Sequence, residues 1–354
     1  MKILNICKKL TIAAAILSLV LFSAQSMAKS HVIDRIVIFG ASLSDTGNAF
    51  IWLSEPANRH CGTSQNVPPF DALDESSVPD GPYAKGGHHF TNGATWVEGL
   101  AQSLSLAGNA RPAFQNTGQE ASNYAVGGAR AVADFPCRFN FPAQVQTYLE
   151  DFPQQTSPDT LFAIEIGAND MRDALVAAMQ FLLLNPNGDP APIITPFIQD
   201  AIESISNAIY DPANINNLYN NGARKFLLMN VPDIGKTPAV IMLDGQLNQN
   251  GLIIGLAKQI SQTFNAQLAL LAESLSSSLG IDVKILDVNT TLDKVVTKPG
   301  DYGFIDTKDA CVTPNQPPFI CKKPDTYVFW DGIHPTKALH AIVAKQAIKI
   351  VSAP

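Results

Sequence analysis

The sequence predicts an α/β fold with a mostly parallel central sheet. Short apolar runs rich in β-branched residues recur along the chain, as buried strands require. Segments with apolar residues at helical spacing lie between these runs. Because strands and helices alternate, and no repeat or linker divides the chain, we expect helices on both faces of one sheet. The predicted strands are 32–39, 121–126, 161–166, 225–231 and 281–288.

The first 28 residues have the pattern of a secretory signal peptide. Lys2, Lys8 and Lys9 precede an apolar run over 10–22, and Ser26-Met27-Ala28 supplies small residues for cleavage after Ala28. The alternative is a transmembrane anchor, which the short apolar run disfavours. We therefore expect one domain over 29–354, secreted or periplasmic, with no transmembrane anchor.

The first predicted strand ends at Gly40, and Ser42 follows two residues later. Residues 52–90 are rich in Pro, Gly, Ser and Asp, so we expect a long excursion of the kind that is usually functional. Helical spacing from Trp96 predicts a helix, and the second strand closes at Gly127-Gly128.

The third strand is followed by Gly167-Ala168-Asn169-Asp170. The apolar segment 175–184 predicts a helix that lies in the core or lines an acyl channel, and the core is the favoured alternative. Thr195 and Pro196 indicate the start of the next helix, and 246–279 predicts a long one. Residues 297–326 are predicted to form a loop before the final helix.

Composition excludes several classes of function. The chain has a formal net charge of −7 and no basic cluster, so no nucleic-acid partner is expected. No Cys-x-x-Cys and no histidine pair at helical ligand spacing occurs, so we expect no metal and no other cofactor.

Four cysteines follow the predicted cleavage site, and an even number in an exported protein indicates disulfides. Four cysteines allow three pairings. The closeness of Cys311 and Cys321 in the sequence favours that pair, which leaves Cys61 with Cys137.

Ser42 is the candidate nucleophile, because parallel sheets place ligands at the carboxyl ends of their strands. Of the six histidines, His334 is the candidate base. Asp331 lies three residues earlier, where a carboxylate can orient the imidazole and stabilise its protonated form. The other histidines are less suitable. His31 lies beside the cleavage site, His60, His88 and His89 lie in the excursion, and His340 is expected on the surface of the last helix.

Ester hydrolysis also requires N–H donors for the negative oxygen of the transition state. The backbone at Gly127 and Gly128 and the amide of Asn169 are suited to this role, although each feature alone is an ordinary turn. A hydroxyl, glycine N–H groups and an amide at three strand ends, with Asp331 and His334 nearby in the fold, indicate acyl transfer.

Four segments carry these groups: Gly40-Ala41-Ser42-Leu43-Ser44-Asp45-Thr46-Gly47-Asn48, Asn123-Tyr124-Ala125-Val126-Gly127-Gly128-Ala129, Gly167-Ala168-Asn169-Asp170 and Asp331-Gly332-Ile333-His334-Pro335-Thr336. Together they resemble the four blocks of the GDSL esterases, or SGNH hydrolases, in the family's order. The resemblance implies a flavodoxin-like three-layer α/β/α sandwich. It implies Ser42 as nucleophile, Asp331 and His334 as the base pair, and Ser42, Gly128 and Asn169 as oxyanion donors.

One position departs from the family pattern. An acid usually precedes the nucleophile, and this chain has Ala41 there. The turn loses a supporting side chain while the reacting groups remain. We expect Asp45 and Asn48 to supply some of the missing hydrogen bonds.

Within the family, the sequence looks most like the bacterial secreted lysophospholipases, phospholipases A and glycerophospholipid:cholesterol acyltransferases. The resemblance implies a phospholipid or lysophospholipid substrate and a sterol as candidate acyl acceptor. Some relatives have a disulfide-closed loop that an activating protease clips, a role that suits the Cys311–Cys321 segment as well as a simple staple does. The alternatives are a carbohydrate or aryl esterase and a non-catalytic surface-binding protein, which the filled catalytic positions disfavour.

Overall fold

The central sheet contains four parallel strands that lie side by side in chain order. The structure, a computed structural model, describes residues 33–55, 88–115, 120–133, 139–312 and 320–353. The strands are β1 (Arg35–Gly40), β2 (Thr160–Glu165), β3 (Lys225–Met229) and β4 (Asp282–Leu286). Gly40 pairs with Glu165, and Glu165 pairs with Met229, so the carboxyl ends of the strands meet at one edge.

The predicted second strand, 121–126, lies along the outer edge of β1 with irregular pairing. The N–H groups of Tyr124 and Val126 donate to the carbonyl oxygens of Ile38 (2.7 Å) and Gly40 (3.1 Å). On its other side Asn123 is bridged to Pro112, and proline has no N–H with which to continue a ladder. The segment therefore pairs locally, and it still delivers the residues after Val126 to the same edge of the sheet.

Nine helices of the described ranges surround the sheet. They are α1 (Asn48–Ser54), α2 (Trp96–Ser103), α3 (Phe141–Asp151), α4 (Ala168–Leu184), α5 (Ala191–Ile209), α6 (Pro238–Gln246), α7 (Leu252–Leu279), α8 (Val288–Thr297) and α9 (Lys337–Val351). None of these helices combines the length and the apolar character that crossing a bilayer requires.

Alternate residues of the strands enter two separate cores. Val37 and Phe39 pack with residues of α3, α4, α5 and α7, whereas Ile36 and Ile38 pack with residues of α2 and α9. This alternation follows from the two-residue period of a strand. The predicted α/β class and three-layer α/β/α sandwich are confirmed.

Two helical boundaries differ from the sequence prediction. Helix α5 begins at Ala191, and Pro196 lies inside it. The hydroxyl of Thr195, predicted near the N-cap, donates back to the Ala191 carbonyl oxygen (2.8 Å). Buried apolar residues on one face of α5 extend on both sides of Pro196, so packing against the core outweighs the one hydrogen bond that the proline cannot make.

The long helix predicted over 246–279 is α7, which begins at Leu252, six residues later than predicted. Helix α6 ends at Gln246, and α7 begins after Gly251, whose φ of 89° is in the left-handed region that favours glycine. The carboxylate of Asp244 accepts hydrogen bonds from the N–H groups of Gly251 (2.7 Å) and Ile253 (2.9 Å). This side chain from α6 therefore satisfies the free donors at the start of α7.

The region 297–326, predicted as a loop, contains strand β5 (Asp306–Ala310), which pairs in parallel with β6 (Tyr327–Phe329). A disulfide joins Cys311 to Cys321 as predicted. Cys311 is buried in a cluster that includes Phe90 and Trp330. Cys61 and Cys137 lie outside the described residues, so their pairing stays a prediction.

We expect the double variant Cys311→Ser/Cys321→Ser to lose about 2–3 kcal/mol of unfolding free energy, because the disulfide closes a loop in the denatured chain. Urea titration of both proteins measures this loss. Parallel ester hydrolysis assays distinguish a disulfide that only staples the fold from one that also controls the site. Lower stability with unchanged activity would indicate a staple, whereas altered activity would indicate control of the site. Wild-type values for both would contradict either role.

Candidate active site

Ser42 lies in a tight turn at the carboxyl edge of the sheet, directly after β1. The Ala41 N–H donates to the carbonyl oxygen of Glu165 at the end of β2 (3.1 Å). The N–H groups of Ser44 and Asp45 then donate to the Ala41 carbonyl oxygen (3.1 and 3.0 Å). The turn is thus closed on both sides of Ser42, as the glycine-then-serine pattern predicts.

Asp45 organises the chain that follows the turn. Its buried carboxylate accepts hydrogen bonds from the N–H groups of Gly47 (2.7 Å), Asn48 (2.7 Å), Ala49 (3.1 Å) and Gly127 (2.7 Å). Burial raises the pKa of Asp45, and these donors oppose that rise. Three of the bonds satisfy the start of α1, and the fourth ties the nucleophile segment to the loop after 121–126.

Asn48 adds a second tie between these segments. Its amide nitrogen donates to the carbonyl oxygens of Asn123 (2.7 Å) and Ala125 (2.9 Å), and its amide oxygen accepts from the Phe114 N–H (3.1 Å). Asp45 and Asn48 thus bond to the segments around the turn, whereas the side-chain acceptor at the Ala41 N–H is Glu165, so the expectation that they replace bonds lost at Ala41 stays a prediction.

Asp331 and His334 form a buried pair in the turn after β6. The Oδ2 atom of Asp331 is 2.7 Å from His334 Nδ1, and its Oδ1 accepts the N–H groups of Ile333 (2.8 Å) and His334 (2.7 Å). A carboxylate only accepts, so Nδ1 carries the proton and Nε2 keeps its lone pair. Nε2 is buried and has no hydrogen-bond partner in the described ranges. This imidazole is oriented as a general base requires.

Phe90 packs between the histidine and the glycine loop. Its ring centroid lies 5.3 Å from that of His334. A Cβ atom added at Gly127 would come within 2.1 Å of the same ring, so only glycine fits there. The contact places the end of the predicted excursion against the site.

Gly127 and Gly128 differ in what their N–H groups do. The Gly127 N–H is bonded to Asp45, whereas the N–H groups of Gly128 and Ser42 donate to no acceptor in the described residues. Gly128 has a φ of 81°, which glycine adopts without strain, and a Cβ atom there would project into open space. Gly128 is therefore the available donor of the two.

The first turn of α4 holds this loop in place. The Asn169 amide nitrogen donates to the Ala129 carbonyl oxygen (2.9 Å), which leaves its second hydrogen available. The carboxylate of Asp170 accepts the Ala131 N–H on both oxygens (3.1 and 3.0 Å). Burial raises the pKa of Asp170 to about 6. The two candidate oxyanion donors thus belong to one hydrogen-bonded unit.

An ion pair that the sequence reasoning missed completes the unit. The buried guanidinium of Arg130 binds Asp173 of α4 through two hydrogen bonds (2.6 and 2.9 Å) and donates to the Gly128 carbonyl oxygen (2.5 Å). It therefore fixes the peptide that follows the free Gly128 N–H. An arginine among small residues in Gly-Gly-Ala-Arg-Ala was the available signal.

His340 is buried, which corrects the prediction that it lies on the surface of α9. Its Nδ1 accepts the Trp96 N–H at the start of α2 (3.3 Å). Burial lowers its pKa to about 3, so the ring is neutral. Ala344 and Ala347, four and seven positions later, are buried on the same face, and this small-residue spacing was the missed signal.

No cluster of three or more metal-ligating side chains occurs among the described residues.

A groove of about 420 Å³ opens at Ser42 between α4 and α6. Among the described histidines, only His334 lines it, together with Ser42 and Asn169. Its walls are largely apolar, and they include Leu175, Val176, Met179, Val240, Met242 and Leu243. The helix predicted over 175–184 contributes to the core through Ala178 and to the groove through Val176 and Met179, and its role as an acyl channel stays a prediction.

The model of the GDSL-like Lipase/Acylhydrolase family matches residues 36–347. A phosphatidylcholine-sterol acyltransferase of Aeromonas hydrophila is 25% identical over 95% of each chain. Lipase 1 of Photorhabdus luminescens is 24% identical over 94% of this chain and 52% of its own. A GDSL esterase/lipase of Arabidopsis thaliana is 28% identical over 44% of each chain. The chain thus spans nearly all of the first relative, about half of the second and less than half of the third.

Proposed function

This chain belongs to the GDSL-like lipase/acylhydrolase family, and on that premise we propose that it is a serine esterase that hydrolyses fatty-acyl esters of phospholipids or lysophospholipids. The apolar groove at Ser42 carries the lipid part of the proposal. Its volume is about 420 Å³, and most of the residues that line it are apolar. Val176 and Met242 are 47% and 43% exposed along the groove, so a long acyl chain would cover apolar surface that water now contacts.

In the proposed reaction the Ser42 oxygen attacks the ester carbonyl carbon, and His334 Nε2 takes the hydroxyl proton. The carbonyl oxygen becomes negative and is met by the N–H groups of Ser42 and Gly128 and by the free amide hydrogen of Asn169. His334 gives its proton to the departing alcohol oxygen, which leaves the acyl group on Ser42. Water, deprotonated by His334, then releases the fatty acid and restores the Ser42 hydroxyl.

Acyl transfer to a sterol is the second candidate. It is supported by similarity over 95% of both chains to an enzyme named phosphatidylcholine-sterol acyltransferase. A sterol hydroxyl would then take the place of water in the second step. Both activities fit the predicted export signal, and we propose that cleavage after Ala28 yields one secreted or periplasmic domain over 29–354. We retain an activating protease, with the Cys311–Cys321 loop as its site, as a further proposal.

A lipid panel tests the proposal, with Ser42→Ala as the blank. Long-chain lysophosphatidylcholine, diacyl phosphatidylcholine with cholesterol, an acetylated sugar and an aryl acetate are each incubated with the enzyme, and free fatty acid and sterol ester are both measured. We expect fatty acid from the phospholipids, and sterol ester wherever transfer competes with hydrolysis. A strong preference for the acetyl esters would overturn the lipid assignment in favour of a carbohydrate or aryl esterase.

We expect Met179→Trp to shorten the groove and to lower kcat/KM for a long acyl ester by about tenfold, because excluding two methylene groups costs about 1.6 kcal/mol. A butyryl ester should be affected by less than about twofold, since it does not reach Met179. The comparison of kcat/KM across chain lengths measures this. The control is Leu270→Trp, which adds the same ring at an exposed position of α7. Equal losses on long and short esters would contradict the assignment of the groove.

A further inference from the structure

Glu165 is a buried carboxyl directly beneath the nucleophile turn, and the reaction described above gives it no part. It is the last residue of β2, only 2% exposed, and it pairs in register with Gly40. Its Oε2 accepts the Ala41 N–H (3.2 Å), the same group that its own carbonyl oxygen accepts (3.1 Å). A Cβ atom at Gly40 would lie 2.4 Å from that carbonyl oxygen and 3.1 Å from Oε2, so this side chain packs closely on the turn.

A second contact reaches the turn on the other side of the nucleophile. The indole N–H of Trp96 donates to the Ser44 hydroxyl oxygen (3.0 Å), which leaves the Ser44 proton to be donated onward. The hydroxyl and the N–H of Ser44 both favour the charged form of Glu165. The carboxyl is therefore hydrogen-bonded at Ala41 and is stabilised in its charged form by Ser44, and these two residues lie on either side of Ser42.

The charge on the Glu165 carboxyl changes within the pH range in which hydrolysis can be assayed. Burial raises the pKa of Glu165 to about 8, and the nearby Asp45 carboxylate adds to the rise. Below that pH the group is mostly neutral. Above it, a negative charge develops beside Ala41 and Ser42 in the same groove, where the oxyanion must also form. A second negative charge there disfavours the transition state.

We propose that Glu165 is a positioning residue for Ser42: from the neighbouring strand its carboxyl fixes the turn over 41–44. The proposal rests on the role of Ser42 as nucleophile. It also accounts for the glycine at position 40, since a Cβ atom there would come too close to Glu165. It also predicts that an acid at position 41 and the acid at 165 are alternatives.

Three variants test it: Glu165→Ala, Glu165→Gln and Glu165→Ala combined with Ala41→Asp. We expect Glu165→Ala to lower kcat by about 10- to 100-fold with KM changed by less than about twofold, since the nucleophile is misplaced while the groove walls are intact. Glu165→Gln keeps the acceptor for the Ala41 N–H, so kcat near pH 6.5 should stay within about threefold of wild type, and the fall in kcat above pH 8 should disappear. Adding Ala41→Asp to Glu165→Ala should recover about tenfold of the loss.

Thermal unfolding and labelling of Ser42 by a fluorophosphonate accompany each assay, and Glu273→Gln on the exposed face of α7 is the matched control. A Glu165→Ala protein with wild-type kcat overturns the inference. If that variant does not fold, the pH dependence of kcat in Glu165→Gln decides. A fall in kcat above pH 8 that is identical to that of wild type overturns the inference. In either case the proposed function stands as long as wild-type Ser42 is labelled and fatty acid is released. A wild-type enzyme that does neither removes the proposed function and the inference together.

Discussion

Replacing Ser42 by alanine is expected to abolish fatty-acid release, with kcat lower by about 10⁴- to 10⁶-fold, as for serine hydrolases that lose the nucleophile. The fold should be unaffected, because the bonds that close the turn are made by the backbones of Ala41, Ser44 and Asp45. The Ser42 oxygen makes no hydrogen bond to a described residue that the turn would lose.

Titration of fatty acid released from lysophosphatidylcholine measures this loss, and thermal unfolding shows whether the variant is folded. Ser274→Ala on α7 makes the same chemical change at an exposed position and should match wild type. Loss of fluorophosphonate labelling in Ser42→Ala alone would identify the reacting oxygen. A variant that keeps more than about one hundredth of wild-type kcat would place the nucleophile elsewhere.

The variant Asp331→Asn is expected to lower kcat by about 10⁴-fold through the tautomer of His334. Oδ1 of Asp331 accepts two backbone N–H groups, from Ile333 and His334, so the amide oxygen of asparagine must occupy that place. Its NH₂ group then faces His334 Nδ1, which has to accept. The ring proton moves to Nε2, the atom that must be free to take the proton of Ser42.

Two measurements distinguish a change in the His334 tautomer from a simple loss of negative charge at position 331. KM should change by less than about twofold, because the substituted residue, Asp331, does not line the groove. The NMR signal of the ring N–H should report the proton on Nε2 in the variant and on Nδ1 in wild type. Asp325→Asn, at an exposed aspartate near Lys337, is the control. A kcat within about tenfold of wild type would show that Asp331 does not set the tautomer.

Contacts between site residues that are close in the sequence could be predicted, whereas contacts between residues far apart in the sequence could not. Asp331 and His334 are three residues apart, so a single turn brings them together and the sequence displays both. Arg130 and Asp173 are 43 residues apart, and Ala41 and Glu165 are 124 apart. Those contacts depend on which strands are neighbours, which periodicity does not specify. A lone acid in the apolar run Leu161-Phe162-Ala163-Ile164-Glu165-Ile166 was the signal in the sequence that something must satisfy a carboxyl there.

The fold class could be predicted from the alternation of strands and helices along the chain. The boundaries of two helices could not, because they depend on tertiary contacts. Thr195 and Pro196 have the local preferences of a helix start, yet α5 extends past both because its buried face continues to Ile194. Gly251 and Gly255 are both poor helix formers, yet only Gly251 lies at a helix boundary, where it directly precedes α7, whereas Gly255 lies inside α7. The difference is the Asp244 carboxylate, which caps α7 at Gly251 and comes from a different helix. Such capping depends on where α6 lies, so the sequence does not display it.

Helix α4 is continuous from Ala168 to Leu184, so one helix contributes both to the groove wall and to the loop after 121–126. Its first two turns carry Asn169 and Asp173, which bind Ala129 and Arg130, and its fourth turn carries Met179 in the wall of the groove. If the groove holds an acyl chain as proposed, a chain that displaces Met179 would move the helix that also supports the proposed oxyanion donors Gly128 and Asn169. We therefore expect acyl-chain length to change kcat more than KM.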